Sequence, residues 1–308
     1  MILVMGSSAD TVHPRLTMHL RESGHPFVVV DEEQPGRYSV AREANNGHSR
    51  FRVEGDGCGG GRPVGAIFVR HAVVRKLDPQ YVQQMTGLQT DLNGVLSFAA
   101  CPVMNPPANA FSNYSKAYQV GLLSEAGFDI PRTLVTNVPE RARAFWEECQ
   151  GEVIFKGVSN VTTLAQVLTP QLLPRLQFLP HSPTLFQEFI RGADYRVHVI
   201  GDDVFVTRLS AQNVDYRRSL LAKDVDVKVE SAELPPRLIE RCIAVTRKLG
   251  LILSGIDFKE DASGRHVALE LNPYPQFTFY EGRSGQPITR AIVAYLIRHQ
   301  ATETNVFV

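Results

Sequence analysis

The sequence has 308 residues, 44% of them hydrophobic, and its 32 basic residues balance its 32 acidic residues. This length allows a large buried core divided into roughly two or three lobes. The zero net charge and the lack of a long basic run argue against nucleic-acid binding, and no apolar run approaches the ~18 residues of a membrane helix. We therefore expect neither a nucleic-acid nor a membrane partner.

The four cysteines are scattered and form no Cys-x-x-Cys pair, which is typical of a reduced cytosolic protein. The chain starts with a short apolar strand that lacks the charged region and cleavage site of a signal peptide. Together these features predict a cytoplasmic location.

Apolar strands and helices alternate in the first third of the chain. Residues 2–5 and 27–30 are strand-like, and the helical pattern between them ends at Gly24. A third strand at 66–69 and a helix at 79–100 follow. Strand–helix–strand units of this kind form open parallel sheets.

Two irregular segments interrupt this first part. Residues 55–61 are rich in glycine and predict a mobile loop. They lack the Gly-Lys-Ser/Thr ending of a phosphate loop and do not lie between a strand and a helix, so phosphate binding there is disfavoured and their role stays open. Pro106-Pro107 breaks the chain and predicts the first domain boundary near residue 105.

The order of elements changes after residue 112, and no internal repeat is present. Helical patterns and strands then alternate, with helices at 115–126, 139–148, 235–249 and 288–299, strands at 130–136, 153–156 and 184–190, and a hairpin at 195–209.

Three oxygen-bearing side chains occupy the two apolar runs at 253–259 and 267–273. Asp257 lies in the first run. Glu270 and Asn272 lie two residues apart in the second, so on a strand they share one face. A site with few carboxylates and room for phosphate oxygens suits Mg²⁺. The alternative is a hairpin whose polar face is solvated.

The turn of this hairpin decides how the three side chains meet. A two-residue loop at Ser263-Gly264 would set Asp257 directly opposite Glu270. A three-residue loop with a glycine bulge would shift the pairing by about one residue. In both cases the oxygen ligands converge on one face of the sheet.

Several basic residues lie where an anion would stabilise them. Lys156 ends an apolar strand, where burial without an anion is costly, and Lys116 begins a helix, where the macrodipole disfavours a cation. Arg196, Arg208 and Arg217 lie on or beside the hairpin at 195–209, and arginine suits bidentate binding of carboxylate and phosphate. The alternatives are surface ion pairs for the arginines, and snorkelling or a carboxylate partner for Lys156.

Taken together, these residues resemble the ATP-grasp superfamily, in the branch that contains the glutamate ligase RimK and the graspetide macrocyclases. The resemblance runs from about residue 105 to 279, and its most specific motifs are QEFI at 187–190, ADYR at 193–196, DYR at 215–217 and ELNP at 270–273. It implies an α/β (α+β) ATP-grasp fold. An N-terminal open parallel lobe, 1–105, would precede two α+β subdomains, 106–186 and 187–308, that hold ATP between them.

The resemblance also implies roles for individual residues. Two lysines would hold the nucleotide phosphates, a strand would offer main-chain groups to adenine, an acid would meet ribose, three oxygen ligands would hold Mg²⁺ (or Mn²⁺), and arginines would act at the γ-phosphate and acyl phosphate. The matching residues are, in that order, Lys116 and Lys156; Gln187, Glu188, Phe189 and Ile190; Asp194; Asp257, Glu270 and Asn272; and Arg217, Arg208 and Arg196.

The sequence departs from the family pattern in two places. The loop after Lys156, residues 157–163, contains one glycine where the family usually has several. The metal asparagine is followed by Pro273-Tyr274-Pro275-Gln276 in place of a small-Pro-Gly step. The second departure predicts a changed substrate pocket.

The resemblance implies an ATP-dependent ligase. A carboxylate would attack the γ-phosphate of ATP, and an amine would then displace phosphate from the acyl phosphate. The substrate would be an amino acid, a peptide or a peptide side chain, and a homodimer is possible. The alternative is a regulatory ATP-binding protein on the same fold, whereas a nicotinamide-binding lobe is disfavoured because Gly6 starts no Gly-x-Gly-x-x-Gly motif. His198 lies among apolar residues and is interpreted as a core histidine, with a general-base role as the alternative.

Overall fold

The computed structural model of the protein describes residues 1–46, 48–72, 78–158, 165–210 and 227–308. A parallel four-stranded sheet, in the order β2-β1-β5-β6, forms its first lobe. Its strands and helices are β1 (Ile2–Gly6), α1 (Val12–Glu22), β2 (Phe27–Asp31), β5 (Ala66–Arg70), α2 (Pro79–Phe98) and β6 (Val103–Met104). The predicted parallel lobe is confirmed.

The sequence explains the two helices of this lobe. In α1, Val12, Leu16 and Leu20 recur every four residues and are fully buried. In α2, the Asp78 carboxylate accepts a hydrogen bond from the Tyr81 N–H at 2.8 Å, and Pro79 occupies the first turn, where its missing N–H costs nothing.

A β-ribbon that the sequence did not reveal lies beside this sheet. It consists of β3 (Tyr38–Asn45) and β4 (His48–Gly55), preceded by a 3₁₀ turn at Pro35–Arg37, and the C-terminal strand β16 (Val306–Phe307) adds to β4 in parallel. The glycine-rich segment begins at the end of β4 with a turn in which the Cys58 N–H donates to the Gly55 carbonyl at 2.9 Å. Arg62, just beyond it, exchanges main-chain hydrogen bonds with Val308.

The second sheet is antiparallel, in the order β7-β10-β8-β9, and packs against α4 and a 3₁₀ segment. Phe145, Val153 and Phe186 belong to its core. The elements of this part are a 3₁₀ segment at Pro107–Tyr114, α3 (Lys116–Glu125), β7 (Thr133–Thr136), α4 (Pro139–Glu148), β8 (Val153–Gly157), β9 (Gln166–Val167), a 3₁₀ segment at Pro170–His181 and β10 (Thr184–Glu188).

The third sheet has five antiparallel strands, in the order β13-β12-β11-β14-β15. Helix α5 covers one face, and its Cys242 and Val245 pack with Val197 and Ile256. The elements are β11 (Ala193–Ile200), β12 (Asp203–Ser210), β13 (Lys228–Ser231), α5 (Pro236–Lys248), β14 (Leu253–Glu260), β15 (His266–Asn272), α6 (Thr278–Ser284) and α7 (Ile288–Arg298).

The lobes share packing and chain segments. Ile2 and Leu16 of the first lobe belong to the same apolar cluster as Phe277 and Ile292 near the C-terminus. Strand β16 returns to the first lobe, and the expected boundary between 186 and 187 falls inside β10. The three domain limits therefore stay a prediction. Within the described ranges, no helix combines the length and apolarity needed to cross a bilayer.

Candidate ATP and metal site

The hairpin of β14 and β15 sets Asp257 directly opposite Glu270. Its loop has three residues, because the Asp261 N–H donates to the Arg265 carbonyl at 3.0 Å and Gly264 has a positive φ of 81°. That loop alone would pair Asp257 with Leu269 and turn Glu270 to the other face, so the expectation that either loop length brings the ligands together is wrong. A bulge at Leu269 brings them together, since Phe258 pairs with Ala268 while Asp257 pairs with Glu270.

The three expected metal ligands converge on one face. Asn272 lies on the same face of β15 as Glu270, and its Nδ2 donates to Glu270 Oε1 at 2.8 Å. This hydrogen bond brings the Asn272 amide and the Glu270 carboxylate together. Because a carboxylate oxygen accepts, the amide atom that faces it is the nitrogen. Two carboxylates and one amide oxygen, all hard oxygen donors, fit a Mg²⁺ ion that keeps places for phosphate oxygens. The described residues contain no cluster of three or more His, Cys, Asp or Glu side chains that would compete as a metal site.

A pocket between the second and third sheets contains most of the expected nucleotide residues. The residues that line it include one of the two expected phosphate lysines, the whole expected adenine strand, the expected ribose acid and two of the expected metal ligands. The lining residues are Pro131, Ile154, Lys156, Ala165, Gln187, Glu188, Phe189, Ile190, Asp194, Tyr195, Asp257, Lys259, Leu269 and Glu270. The residues that the sequence pattern grouped are therefore neighbours in space.

The strand expected to receive adenine, residues 187–190, is anchored on both sides. The N–H of Glu188 donates to the Arg132 carbonyl at 2.9 Å, and the N–H of Phe189 donates to the Glu152 carbonyl at 2.9 Å. The buried Gln187 side chain donates to Thr133 Oγ1 at 3.1 Å. The edge of the pocket is thus held by neighbouring backbone before any ligand binds.

Asp194 lines the pocket and forms an ion pair with Lys259, whose Nζ lies 2.9 Å from Asp194 Oδ2 and 3.2 Å from the Gly192 carbonyl oxygen. Sequence reasoning missed Lys259. A signal was present, because Lys259 stands two residues after Asp257 in an apolar strand and therefore faces the same side. Its role is to compensate the charge of a largely buried carboxylate.

Lys116 is the first residue of α3 and is half-buried. It is not among the residues that line this pocket. Its helix is fixed to the metal strand, because the buried Gln119 side chain donates to the Leu271 carbonyl at 2.6 Å. Its expected contact with phosphate stays a prediction.

The two described arginines of the expected catalytic set face opposite sides of the third sheet. Arg196 lies opposite Thr207 and Asp257, whereas Arg208 lies opposite Tyr195 and Glu230. Adjacent residues on a strand alternate faces, so Arg208 lies on the side away from Asp257 and forms a half-exposed ion pair with Glu230 at 3.5 Å. This placement gives no support to a γ-phosphate role for Arg208, which stays a prediction.

Arg196 is buried against the metal site. Its Nε lies 2.8 Å from Asp257 Oδ1 and 3.3 Å from the Tyr280 hydroxyl. It therefore holds Asp257, an expected metal ligand, instead of facing open solvent. Arg217 and residues 159–163 of the expected phosphate loop lie outside the described residues.

His198 is fully buried, and its Nε2 lies 3.4 Å from the Gln276 carbonyl oxygen. Burial and the positive charge of Arg196 lower the pKa of His198 to about 3. The ring is therefore neutral at physiological pH and has no exposed surface for a substrate. These features favour the interpretation as a core histidine over that as a general base.

Two residues at the lobe junction were not expected from the sequence. The buried Asn105 side chain accepts hydrogen bonds from the N–H groups of Ile252 and Leu253 and donates to the carbonyls of Leu253 and Pro273. Arg70, at the end of β5, donates to the Tyr274 carbonyl at 2.6 Å. Both fix the segment that follows the metal ligand Asn272.

The profile of the RimK-like ATP-grasp domain matches residues 113–296, the part of the chain that contains this pocket. The chain belongs to the RimK-like ATP-grasp family. Ligases of this family bind ATP and Mg²⁺. The mixed α/β fold described above is that of the ATP-grasp ligases.

Two curated relatives of this ATP-grasp protein are ligases. It is 27% identical over 178 residues to the alpha-aminoadipate–LysW ligase LysX of Sulfurisphaera tokodaii, a match that covers 53% of this chain and 60% of LysX. It is 28% identical over 116 residues to the probable alpha-L-glutamate ligase 2 of Shewanella amazonensis, covering 36% of this chain and 37% of the relative. The matches thus span less than two thirds of the length of these relatives.

Solved structures match this ATP-grasp protein over nearly its whole length. The ATP-grasp ligase PsnB, in complex with a phosphomimetic variant of its minimal precursor, Mg and ADP, is 27% identical, has a TM-score of 0.79, and is matched over 97% of this chain and 98% of its own. The macrocyclase MdnC from Microcystis aeruginosa MRC, bound to the precursor peptide MdnA, has a TM-score of 0.78 at 20% identity, with 96% and 99% of the two chains covered, which shows a shared fold.

Proposed function

We propose that this protein is an ATP-dependent carboxylate–amine ligase that works through an acyl phosphate. The observation that supports this best is the single pocket in which Lys156 and the strand at 187–190 meet Asp257 and Glu270. ATP-dependent acyl transfer requires these groups together, because the nucleotide must be held at its base while its terminal phosphate meets positive charge.

In this proposal Asp257, Glu270 and Asn272 hold Mg²⁺, with Mn²⁺ as a substitute. When bound, the ion neutralises charge on the β- and γ-phosphate oxygens. The hydrogen bond between Asn272 and Glu270 keeps both side chains directed at the same point. The donor set is therefore arranged before the nucleotide arrives.

The other residues of the site bind ATP and orient it. The main chain at 187–190 receives adenine, Asp194 receives ribose, and the ammonium groups of Lys156 and Lys116 lie along the phosphates. Arg217 supplies positive charge where the carboxylate attacks. Catalysis would then be mainly electrostatic and positional, since no protein nucleophile is required.

We further propose a peptide, modified through a side-chain carboxylate, as the substrate class, with an amide or an ester as product. This rests on the likeness to PsnB, which was solved with a precursor peptide and is matched over almost its full length. An amino-acid substrate is the second candidate, supported by LysX over a shorter match. A cytoplasmic location and a homodimer complete the proposal.

The test is ADP formation from Mg·ATP across a panel of peptides and amino acids, with hydroxylamine added to trap an acyl phosphate as a hydroxamate. A ligase should release ADP faster when a carboxylate substrate is present and should yield the hydroxamate of that substrate. Nucleotide binding without ADP release under every condition would instead support the regulatory ATP-binding protein.

A further inference from the structure

Arg196 and Asp257 form a buried ion pair beside the expected metal site. They are direct cross-strand neighbours, the guanidinium Nε lies 2.8 Å from Asp257 Oδ1, and the side chains are only 9% and 18% exposed. A bond of this kind in a buried site is strong and directional. One of the two carboxylate oxygens of Asp257, Oδ1, therefore accepts a hydrogen bond from within the protein.

The guanidinium is itself held in place from helix α6. The Tyr280 hydroxyl lies 3.3 Å from Nε, and the Arg196 Cζ lies 5.2 Å from the centre of the Tyr280 ring, within range of a cation–π contact. Tyr280 in turn packs edge-on against the fully buried His198 ring, with 5.1 Å between ring centres. The Arg196 side chain therefore cannot turn away from Asp257 without disturbing α6.

Strand β14 makes room for this arrangement. A Cβ atom at Gly255 would lie 2.5 Å from Arg196 Nη1 and 2.6 Å from Pro275 Cβ, closer than such atoms approach. Gly255 lies two residues before Asp257 on the same face of the strand. The absence of a side chain at position 255 is thus what admits the guanidinium beside the metal ligand.

The consequence concerns how Asp257 can bind an ion. The bond from Arg196 to Oδ1 would direct Asp257 to bind the ion of the proposed function through Oδ2, as a monodentate ligand. Mg²⁺ accepts monodentate carboxylates in a small octahedron with distances of about 2.0–2.1 Å. Ca²⁺ takes about six to eight oxygens at roughly 2.3–2.6 Å and often uses both oxygens of a carboxylate.

We propose that Arg196, oriented by Tyr280, is an ion-selectivity residue that keeps Asp257 monodentate and so favours Mg²⁺ over Ca²⁺. This rests on the proposed function, in which Asp257, Glu270 and Asn272 hold the ion of Mg·ATP. In this proposal Arg196 acts through Asp257, as a positioning residue.

Binding of Mn²⁺ in the presence of a non-hydrolysable ATP analogue, followed by electron paramagnetic resonance, tests this without relying on turnover. Mg²⁺ and Ca²⁺ are titrated as competitors, and the ratio of their inhibition constants measures selectivity. Arg196→Met removes the donor at similar side-chain length, and Tyr280→Phe removes only the hydroxyl. Arg247→Gln is the control, because Arg247 forms an exposed ion pair with Asp202, in the turn between β11 and β12.

We expect Arg196→Met to shift the competition toward Ca²⁺ by about tenfold and Tyr280→Phe by about threefold, because Asp257 can then turn and use both oxygens. Arg247→Gln should leave the ratio unchanged. If Arg196→Met fails to fold by circular dichroism, Tyr280→Phe decides the question.

Two different negative results would contradict different parts of the proposal. If the wild-type protein shows no nucleotide-dependent Mn²⁺ binding, the metal assignment of the proposed function is wrong. If the wild-type protein binds Mn²⁺ while the folded variants keep the wild-type ratio of Mg²⁺ to Ca²⁺, the selectivity role of Arg196 alone is overturned.

Discussion

The Asn105 side-chain amide forms two hydrogen bonds with the main chain of Leu253, as the backbone of a neighbouring strand would. The Leu253 N–H donates to Asn105 Oδ1 at 3.0 Å, and Asn105 Nδ2 donates to the Leu253 carbonyl at 2.6 Å. The same amide also reaches Pro273, just after the metal ligand Asn272. One buried side chain thus joins the end of the first lobe to both strands of the metal hairpin.

Replacing Asn105 with Ala should destabilise the fold. It leaves buried main-chain groups of Ile252, Leu253 and Pro273 without partners, which costs about 2–4 kcal/mol in the free energy of unfolding. Urea denaturation measures this. Asn109→Ala is the matched control, since Asn109 makes a single, more exposed bond to the Gly250 carbonyl, and its loss should cost under about 1 kcal/mol. Equal effects of the two variants would contradict the proposed importance of the junction.

Removing either carboxylate of the metal pair should abolish turnover. We expect Asp257→Asn and Glu270→Gln to lower Mg²⁺-dependent ADP formation by about a hundredfold or more, because phosphate charge is then poorly neutralised. Glu260→Gln is the control on the same hairpin, where the carboxylate accepts a hydrogen bond from the Tyr195 hydroxyl. Near-normal turnover in either metal variant would disprove the metal assignment.

Gly255→Ala should damage the metal site more than the fold. The new methyl group displaces the Arg196 guanidinium or Pro275, at a cost of about 1–3 kcal/mol in stability, and we expect a higher KM for Mg·ATP as Asp257 moves. Gly121→Ala in α3 has open space around its Cβ and should be neutral or stabilising by about 1 kcal/mol. Unchanged kinetics in Gly255→Ala would show that Arg196 tolerates displacement.

Protein stability should fall as the pH drops below neutrality, in part through His198. Its pKa is about 3 in the folded protein and near 6.5 when exposed, so the unfolded chain binds a proton that the folded chain does not. Stability from this group is complete above about pH 6.5 and is lost as the pH falls toward 3. Between pH 7.5 and 5.5 the loss should be about 1.4 kcal/mol by urea denaturation.

The variant His198→Gln isolates this contribution from that of other groups. It should be less stable at every pH, and its stability should depend less on pH over the same interval. His181→Gln, at an exposed position, is the control. A pH dependence in His198→Gln identical to that of the wild type would rule out His198 as a source of the slope.

Local pattern predicted the parallel lobe, most helices and the metal hairpin, because these depend on short-range apolar periodicity and on turn residues. It did not predict β3, whose side chains are mostly exposed, or β4, which has only Phe51 and Val53 in the core. It also did not predict β16, whose partner lies some 250 residues away in the sequence. Non-local pairing of this kind leaves no signal in either segment alone.

For the site, too, the sequence predicted some features, whereas others needed the structure. Which residues lie together around Asp257 could be predicted from strand spacing and family resemblance, but their hydrogen-bond and ion-pair partners could not. The ion pairs of Arg196 and Lys259 depend on which strands are neighbours, and the face of Arg208 depends on the register of β11 with β12. The loop and bulge of the hairpin also needed the structure, since both loop lengths were compatible with the turn sequence.

The bulge at Leu269 changes more than the strand register. In a regular ladder Leu269 and Glu270 would point to opposite faces, whereas both of them line the nucleotide pocket. A single inserted residue thus gives the cavity an apolar wall and a charged ligand from adjacent positions of one chain. Deletion of Leu269 should therefore remove the apolar contact from the pocket while leaving the Glu270 carboxylate opposite Asp257.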